Sequence, residues 1–114
     1  MSSQILVTGA GGGPQGATGN RLTRLLREKG VPVRAFVRKV DERSDVLHEM
    51  GAEVFAGDLA NIQSVREALR GIEKVYFCYP VKADLLDATA ILAQAAKEEK
   101  VKFIFSFLLG HLQI

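Results

Sequence analysis

The chain is poor in the residues that would tie it to several large functional classes. Cys78 is the single cysteine among 114 residues, so an internal disulfide is excluded and no metal-ligand spacing can be built on cysteine. It lies within an apolar run, which predicts a buried, reduced thiol. There are two histidines. His48 falls in a helical stretch and reads as surface, and His111, near the end, reads as a mobile surface group. Neither a metal cluster nor a nucleophile–base pair can be assembled from the residues. No apolar run approaches membrane-spanning length. The first, Ile5–Val7, stops at Thr8-Gly9 and is too short for a secretory leader. Net charge is only +2, and without a Lys/Arg block or basic–aromatic interleaving it argues for solubility rather than nucleic acid. Repeats and low-complexity tracts are missing too. These absences leave a cytoplasmic globular chain in which residues 1–114 form a single domain, long enough for one core and too short for two.

What the sequence does contain is a regular alternation of short apolar runs and longer amphipathic stretches. Ile5–Val7 is the first strand. Leu22, Leu25 and Leu26 share one face of a helix over 20–29, closed by Gly30. Ala35–Val37 is a second strand, led in by Val31-Pro32-Val33. A short helix around Ser44–Met50 ends at Gly51, and Ala52–Ala56 is the third strand. Val65, Ala68 and Leu69 give 62–70 one buried helical face, stopped by Gly71. Lys74–Tyr79 is a fourth strand that Pro80 ends, Ala83–Glu98 is a long helix, and Val101–Leu108 is a fifth strand. Strands and helices in alternation, with short connections, predict an α/β fold with a parallel sheet. Continuous apolar runs such as Val75–Cys78 and Phe103–Phe105 fit strands covered on both faces. The expectation is a three-layer, doubly wound sheet of the Rossmann type, strand order 3-2-1-4-5, incomplete on its C-terminal side.

Between the first strand and the first helix lies Gly9-Ala10-Gly11-Gly12-Gly13-Pro14-Gln15-Gly16-Ala17-Thr18-Gly19. Dinucleotide sites place glycines here so that the chain can turn sharply, approach a pyrophosphate and pack the helix closely on the sheet. The following helix N-terminus offers unpaired N–H groups to the phosphates. Two registers fit. In one, Gly13, Gly16 and Gly19 form the triplet and Gly9 makes the turn. In the other, Gly9 or Gly11 joins Gly13 and Gly16, with Pro14 at the first helical position. The second leaves Gly16 and Gly19 inside the helix at about 1 kcal/mol each against Ala, and the first is preferred.

The end of the second strand discriminates between dinucleotides. An NAD site places Asp or Glu about 20 residues beyond the glycines to bind the ribose hydroxyls. This chain has Arg38-Lys39, with Asp41 further on. A guanidinium there suits a 2′-phosphate, so NADP is expected, with NAD the alternative. Asp58, after the third strand, is placed to accept from an adenine amino group, its competing role being a cap for the next helix, for which Asn61 is better suited.

Ile5-Leu6-Val7-Thr8-Gly9, Gly16-Ala17-Thr18-Gly19-Asn20, Val33 to Arg38, and Gly51 to Leu59 resemble the NmrA-like family of atypical short-chain dehydrogenase relatives. Ala68 to Ile72 and Val75 to Pro80 continue the likeness, which covers residues 4 to about 107. The resemblance implies a domain binding NADP(H) or NAD(H), followed in the family by a smaller substrate-binding part. It implies that Gly9, Gly13, Gly16, Thr18 and Gly19 carry the pyrophosphate and Arg38 the 2′-phosphate. Asp58-Leu59 would hold the adenine, and Tyr79-Pro80 would line the ribose side. Some members reduce substrates, whereas others act as redox sensors.

The loop between Gly9 and Gly19 is longer than the commonest family form. The Tyr-x-x-x-Lys pair of active short-chain dehydrogenases has no counterpart, and the sequence stops just past the fifth strand. Tyr79, Ser106 and His111 are the candidate proton donors, none with a partner, so the catalytic residues stay unassigned. Two functions follow: a dinucleotide-binding or redox-sensing module, or an NADP-dependent oxidoreductase of a small carbonyl or quinone. With the fifth strand as an uncovered apolar edge, self-association is a third expectation.

Overall fold

The computed structural model describes residues 4–9, 17–80 and 85–109. Its elements are β1 (Ile5–Thr8), α1 (Ala17–Glu28), β2 (Val33–Val37), α2 (Glu42–Glu49), β3 (Glu53–Ala56), α3 (Ile62–Leu69), β4 (Lys74–Pro80), α4 (Leu85–Glu98) and β5 (Phe103–Leu109). All strand pairs are parallel, and the order is β3-β2-β1-β4-β5. This is the expected Rossmann-type α/β sheet.

Alternation along the strands divides the interior into two cores. Leu6, Phe36, Val75 and Phe77 face Val65, Ala68 and Leu69 of α3 and Ala88, Leu92, Ala95 and Ala96 of α4. Ile5, Val7, Val33, Ala35 and Val37 face the other way, against Leu47 of α2 and the partly buried Leu22 and Leu26 of α1. The central strand β1 is therefore buried on both sides along its whole length.

Three of the four helix ends among the described residues repeat one device. Gly30 N–H bonds the Arg27 carbonyl while Val31 N–H reaches back to Leu26, and the same pair of bonds closes α2 at Gly51 and Ala52. At the end of α4 the left-handed position is taken by Lys100 (φ 61°) instead of glycine, with Val101 N–H bonded to the Ala96 carbonyl. These closures satisfy carbonyls that the helix leaves open.

Several boundaries differ from those read in the sequence. α2 starts at Glu42, because the Asp41 side chain accepts from the N–H groups of Arg43 and Ser44 while the Ser44 hydroxyl accepts from Asp41 N–H. That reciprocal cap sets the first turn earlier than the apolar pattern does. α1 begins at Ala17, and β5 begins at Phe103 rather than Val101. Pro80 ends β4 as its last residue rather than as the residue after it, and pairs with Leu109. Its missing N–H is tolerated because the β1 ladder has already stopped at Val7–Tyr76, so that flank of β4 is an edge by then.

Candidate functional site

The carboxyl ends of β1, β2 and β3 form one continuous rim. Gly9 follows β1 with φ 67°, in the left-handed region. A Cβ there would lie 2.6 Å from the Cys78 carbonyl oxygen on β4, so the turn demands glycine on two counts. Gly19, in the first turn of α1, lies against this turn from the helix side. Its Cβ would meet the Gly9 carbonyl oxygen at 2.6 Å and the Thr8 carbonyl oxygen at 2.9 Å. The two glycines bring the start of α1 into backbone contact with the end of β1, the helix–strand closeness that a dinucleotide cradle requires. Thr18, beside Gly19, is exposed.

On the neighbouring strand, Arg38 and Lys39 follow β2 and both are exposed. Val37, just before them, accepts from Gly57 N–H at 2.9 Å, which sets Arg38 and Asp58 side by side beyond the ends of β2 and β3. Gly57 is closely hemmed in, since a Cβ there would crowd Ser64 Oγ and fall 2.9 Å from the Phe36 ring. Asp58 N–H donates to Ser64 Oγ at 3.0 Å, and one Asp58 carboxylate oxygen accepts from Ala60 N–H at 2.9 Å. Asn61, not Asp58, caps α3, its Oδ1 accepting from Gln63 and Ser64 N–H at 2.9 and 3.3 Å. The Asp58 carboxylate is thus held by a turn and remains exposed on the rim, while Leu59 packs partly buried against the α3–α4 core.

Gly13 and Gly16 lie outside the described residues, as does His111. Tyr79 and Pro80 run in the backbone of β4 opposite Leu108 and Leu109, and their side chains lie outside what is described. Ser106 is exposed on β5 opposite Phe77, and His48 is exposed on α2. Cys78 is buried, and burial pushes its thiol up to about 11, which makes it a poor nucleophile. Among the described residues no group of His, Cys, Asp and Glu is arranged to hold a metal, and no helix is long and apolar enough to cross a membrane.

Two long-range contacts escaped the sequence reading, one at the rim and one at the opposite ends of the strands. Thr8 entered it only as the end of a strand, yet its buried hydroxyl bonds both the N–H and the carbonyl of Cys78. Arg34 was one residue among a strand's, yet its guanidinium binds the Ala68 and Arg70 carbonyls and Glu53. These bonds join residues 19 to 70 positions apart in sequence, and no local pattern signals them.

The comparisons agree with this geometry. An NAD(P)H azoreductase from Xenophilus azovorans is 35% identical over 107 residues, covering 93% of this chain and 36% of the azoreductase. The structure of a Citrobacter triphenylmethane reductase complexed with NADP(H) superposes with a TM-score of 0.69 at 30% identity, over 90% of this chain and 36% of that one. An NADPH-dependent quinone oxidoreductase from Escherichia coli, complexed with NADPH, gives a TM-score of 0.70 at 25% identity, over 90% of this chain and 35% of its own. The chain spans about a third of the length of these relatives. With the NmrA-like family model matching residues 1–113, a parallel sheet in the 3-2-1-4-5 order and a glycine turn after β1, the chain belongs to the NmrA-like family.

Proposed function

We infer that the chain binds a dinucleotide along the rim of β1, β2 and β3, with NADP(H) preferred over NAD(H). The observation that carries this is the backbone cradle at Gly9 and Gly19, where a Cβ at either position would fall 2.6 Å from a backbone oxygen. Adjacent strands are about 4.8 Å apart, so the rim from β1 to β3 measures about 10 Å. Its order matches the order of groups along the ligand. The pyrophosphate sits over Gly9, Thr18 and Gly19 at the start of α1, joined by Gly13 and Gly16 of the same loop. The 2′-phosphate meets Arg38, and the adenine meets Asp58 and Leu59. Tyr79 and Pro80, at the end of β4, line the ribose side. When bound, the nicotinamide supplies a hydride. The residues of this chain bind and orient it.

The primary reading is a binding or redox-sensing module. The identity with an NAD(P)H azoreductase favours a second, an NADP-dependent oxidoreductase. Loss of nicotinamide absorbance with added quinone, carbonyl or azo substrates separates them: turnover supports the reductase, and tight binding with none supports the module. The oligomeric reading is association of two copies along β5. Phe103, Ile104 and Phe105 on this edge strand are 50%, 43% and 43% exposed, and no charge or proline interrupts it. Light scattering at high concentration tests this, and a clean monomer contradicts it.

A further inference from the structure

α2 and α3 both carry a serine at the third helical position, and the two hydroxyls are used differently. Ser44 accepts from Asp41 N–H at 2.8 Å and so closes the cap of its own helix. Ser64 stands at the same place in α3, three residues after the cap residue Asn61. A capping box would turn its oxygen onto Asn61 N–H. That N–H is already engaged by the Asp58 carbonyl at 3.0 Å. Ser64 Oγ instead reaches past the cap and accepts from Asp58 N–H, also at 3.0 Å. Gly57 leaves the room for this, since a Cβ there would crowd that oxygen. Asn61 caps α3 through Gln63 and Ser64 N–H, so the Ser64 hydroxyl is free to act on Asp58.

Asp58 is therefore gripped at three points although it is exposed. Ser64 holds its N–H, Asn61 N–H holds its carbonyl, and Ala60 N–H holds one carboxylate oxygen at 2.9 Å. The other carboxylate oxygen has no partner among the described residues. We propose that Ser64 is a positioning residue for the base end of the dinucleotide site. By fixing the Asp58 backbone it aims the free carboxylate oxygen at one point on the base edge, and so makes the site selective for a 6-amino purine. The inference rests on the dinucleotide reading given above, with the adenine at Asp58. Adenine presents a donor at its 6-amino group. Hypoxanthine presents a carbonyl oxygen there, and its nearest donor, N1–H, lies one ring atom away. A fixed carboxylate meets the amino group and is repelled by the carbonyl oxygen, whereas a loose one can follow the donor to N1. Ser64 acts only through Asp58.

The test is calorimetric titration with NADPH and with its hypoxanthine analogue, deamino-NADPH. It compares the unsubstituted chain, Ser64→Ala and Ser44→Ala at a temperature where circular dichroism shows each to be folded. The unsubstituted chain is expected to prefer NADPH about tenfold or more, the worth of a hydrogen bond to a charged acceptor. Ser64→Ala is expected to bring that ratio to about threefold or less, and Ser44→Ala to leave it unchanged. A purely structural serine would lower Tm in Ser64→Ala and leave the ratio as it was, which would overturn the proposal while the adenine stayed placed at Asp58. An equal fall of the ratio in Ser44→Ala would also overturn it, since any loosened cap would then do the same. An unsubstituted chain that bound both dinucleotides alike, or neither, would remove the adenine placement and the proposal together. Should Ser64→Ala not fold, hydrogen exchange on the unsubstituted chain decides. NADPH is expected to slow the Asp58 amide more than deamino-NADPH does, and equal slowing would overturn the proposal.

Discussion

Gly19→Ala sets two physical effects against each other, and the structure says which one wins. Alanine is the better helix former by about 1 kcal/mol, so propensity alone predicts a more stable protein. The added methyl, however, would sit 2.6 Å from the Gly9 carbonyl oxygen, 2.8 Å from its carbon and 2.9 Å from the Thr8 carbonyl oxygen. All three are backbone atoms, and ordinary contact begins at 3.4 Å. The first turn of α1 must therefore retreat by about 0.8 Å from β1, the difference between 3.4 and 2.6 Å. Forced shifts of this kind cost roughly 1–3 kcal/mol. With three backbone contacts to relieve, the upper half of that range applies, and the net effect is a loss of about 1–2 kcal/mol. In a domain of this size each kcal/mol corresponds to a Tm change of roughly 4–8 °C. Urea unfolding followed by circular dichroism measures it, with Thr18→Ala, at an exposed position in the same turn, as the control for propensity. NADPH binding should weaken in Gly19→Ala, since the phosphate-facing end of the helix has moved. A variant as stable as its parent, or more so, that bound NADPH equally would refute the close-packing argument.

Other perturbations separate the site from the scaffold. Arg34→Met, at the amino ends of the strands, leaves the Ala68 and Arg70 carbonyls without their donor and is expected to cost about 1–3 kcal/mol in urea unfolding with NADPH affinity unchanged. Lys100→Gly relieves the left-handed backbone at the end of α4 and should raise stability by about 0.5–1 kcal/mol, read as a higher urea midpoint. Native Cys78 should resist a thiol reagent at pH 8 and react once urea unfolds the chain. Because burial raises its pKa from 9.0 to about 11, the unfolded state loses this proton first. Stability is therefore expected to fall as pH climbs from about 9 towards about 11, and less so in Cys78→Ala.

The fold was legible because its signals are local and repeated. Leu22, Leu26, Val65, Ala68 and Leu69 recur at helical spacing, glycines close three of the four helices, and β1 and β4 are runs that only a sheet covered on both faces can bury. Alternating strands and helices then leave few topologies, and the strand order followed. The placement of Gly9, Arg38 and Asp58 at one end of the sheet was legible for the same reason, since Gly9 and Arg38 directly follow β1 and β2 and Asp58 comes two residues after β3. What the sequence concealed were contacts made across the chain. Thr8 meets Cys78 over 70 positions, Arg34 meets Ala68 over 34, and Gly57 is constrained by Phe36 and Ser64. Pro80 was legible as the end of β4, and only its own inclusion in the strand depends on where the β1 ladder stops.

The most direct test of the account is calorimetric titration of the chain with NADPH and with NADH, repeated on Arg38→Ala. The account predicts tighter binding of NADPH, a preference of about 10–100-fold that disappears in the variant as its charge-assisted contact to the 2′-phosphate is lost, with NADH affinity little changed. Equal affinity for both dinucleotides, or an NADPH affinity untouched by the substitution, would contradict the placement of the 2′-phosphate at Arg38. A folded chain that bound neither would contradict the site as a whole.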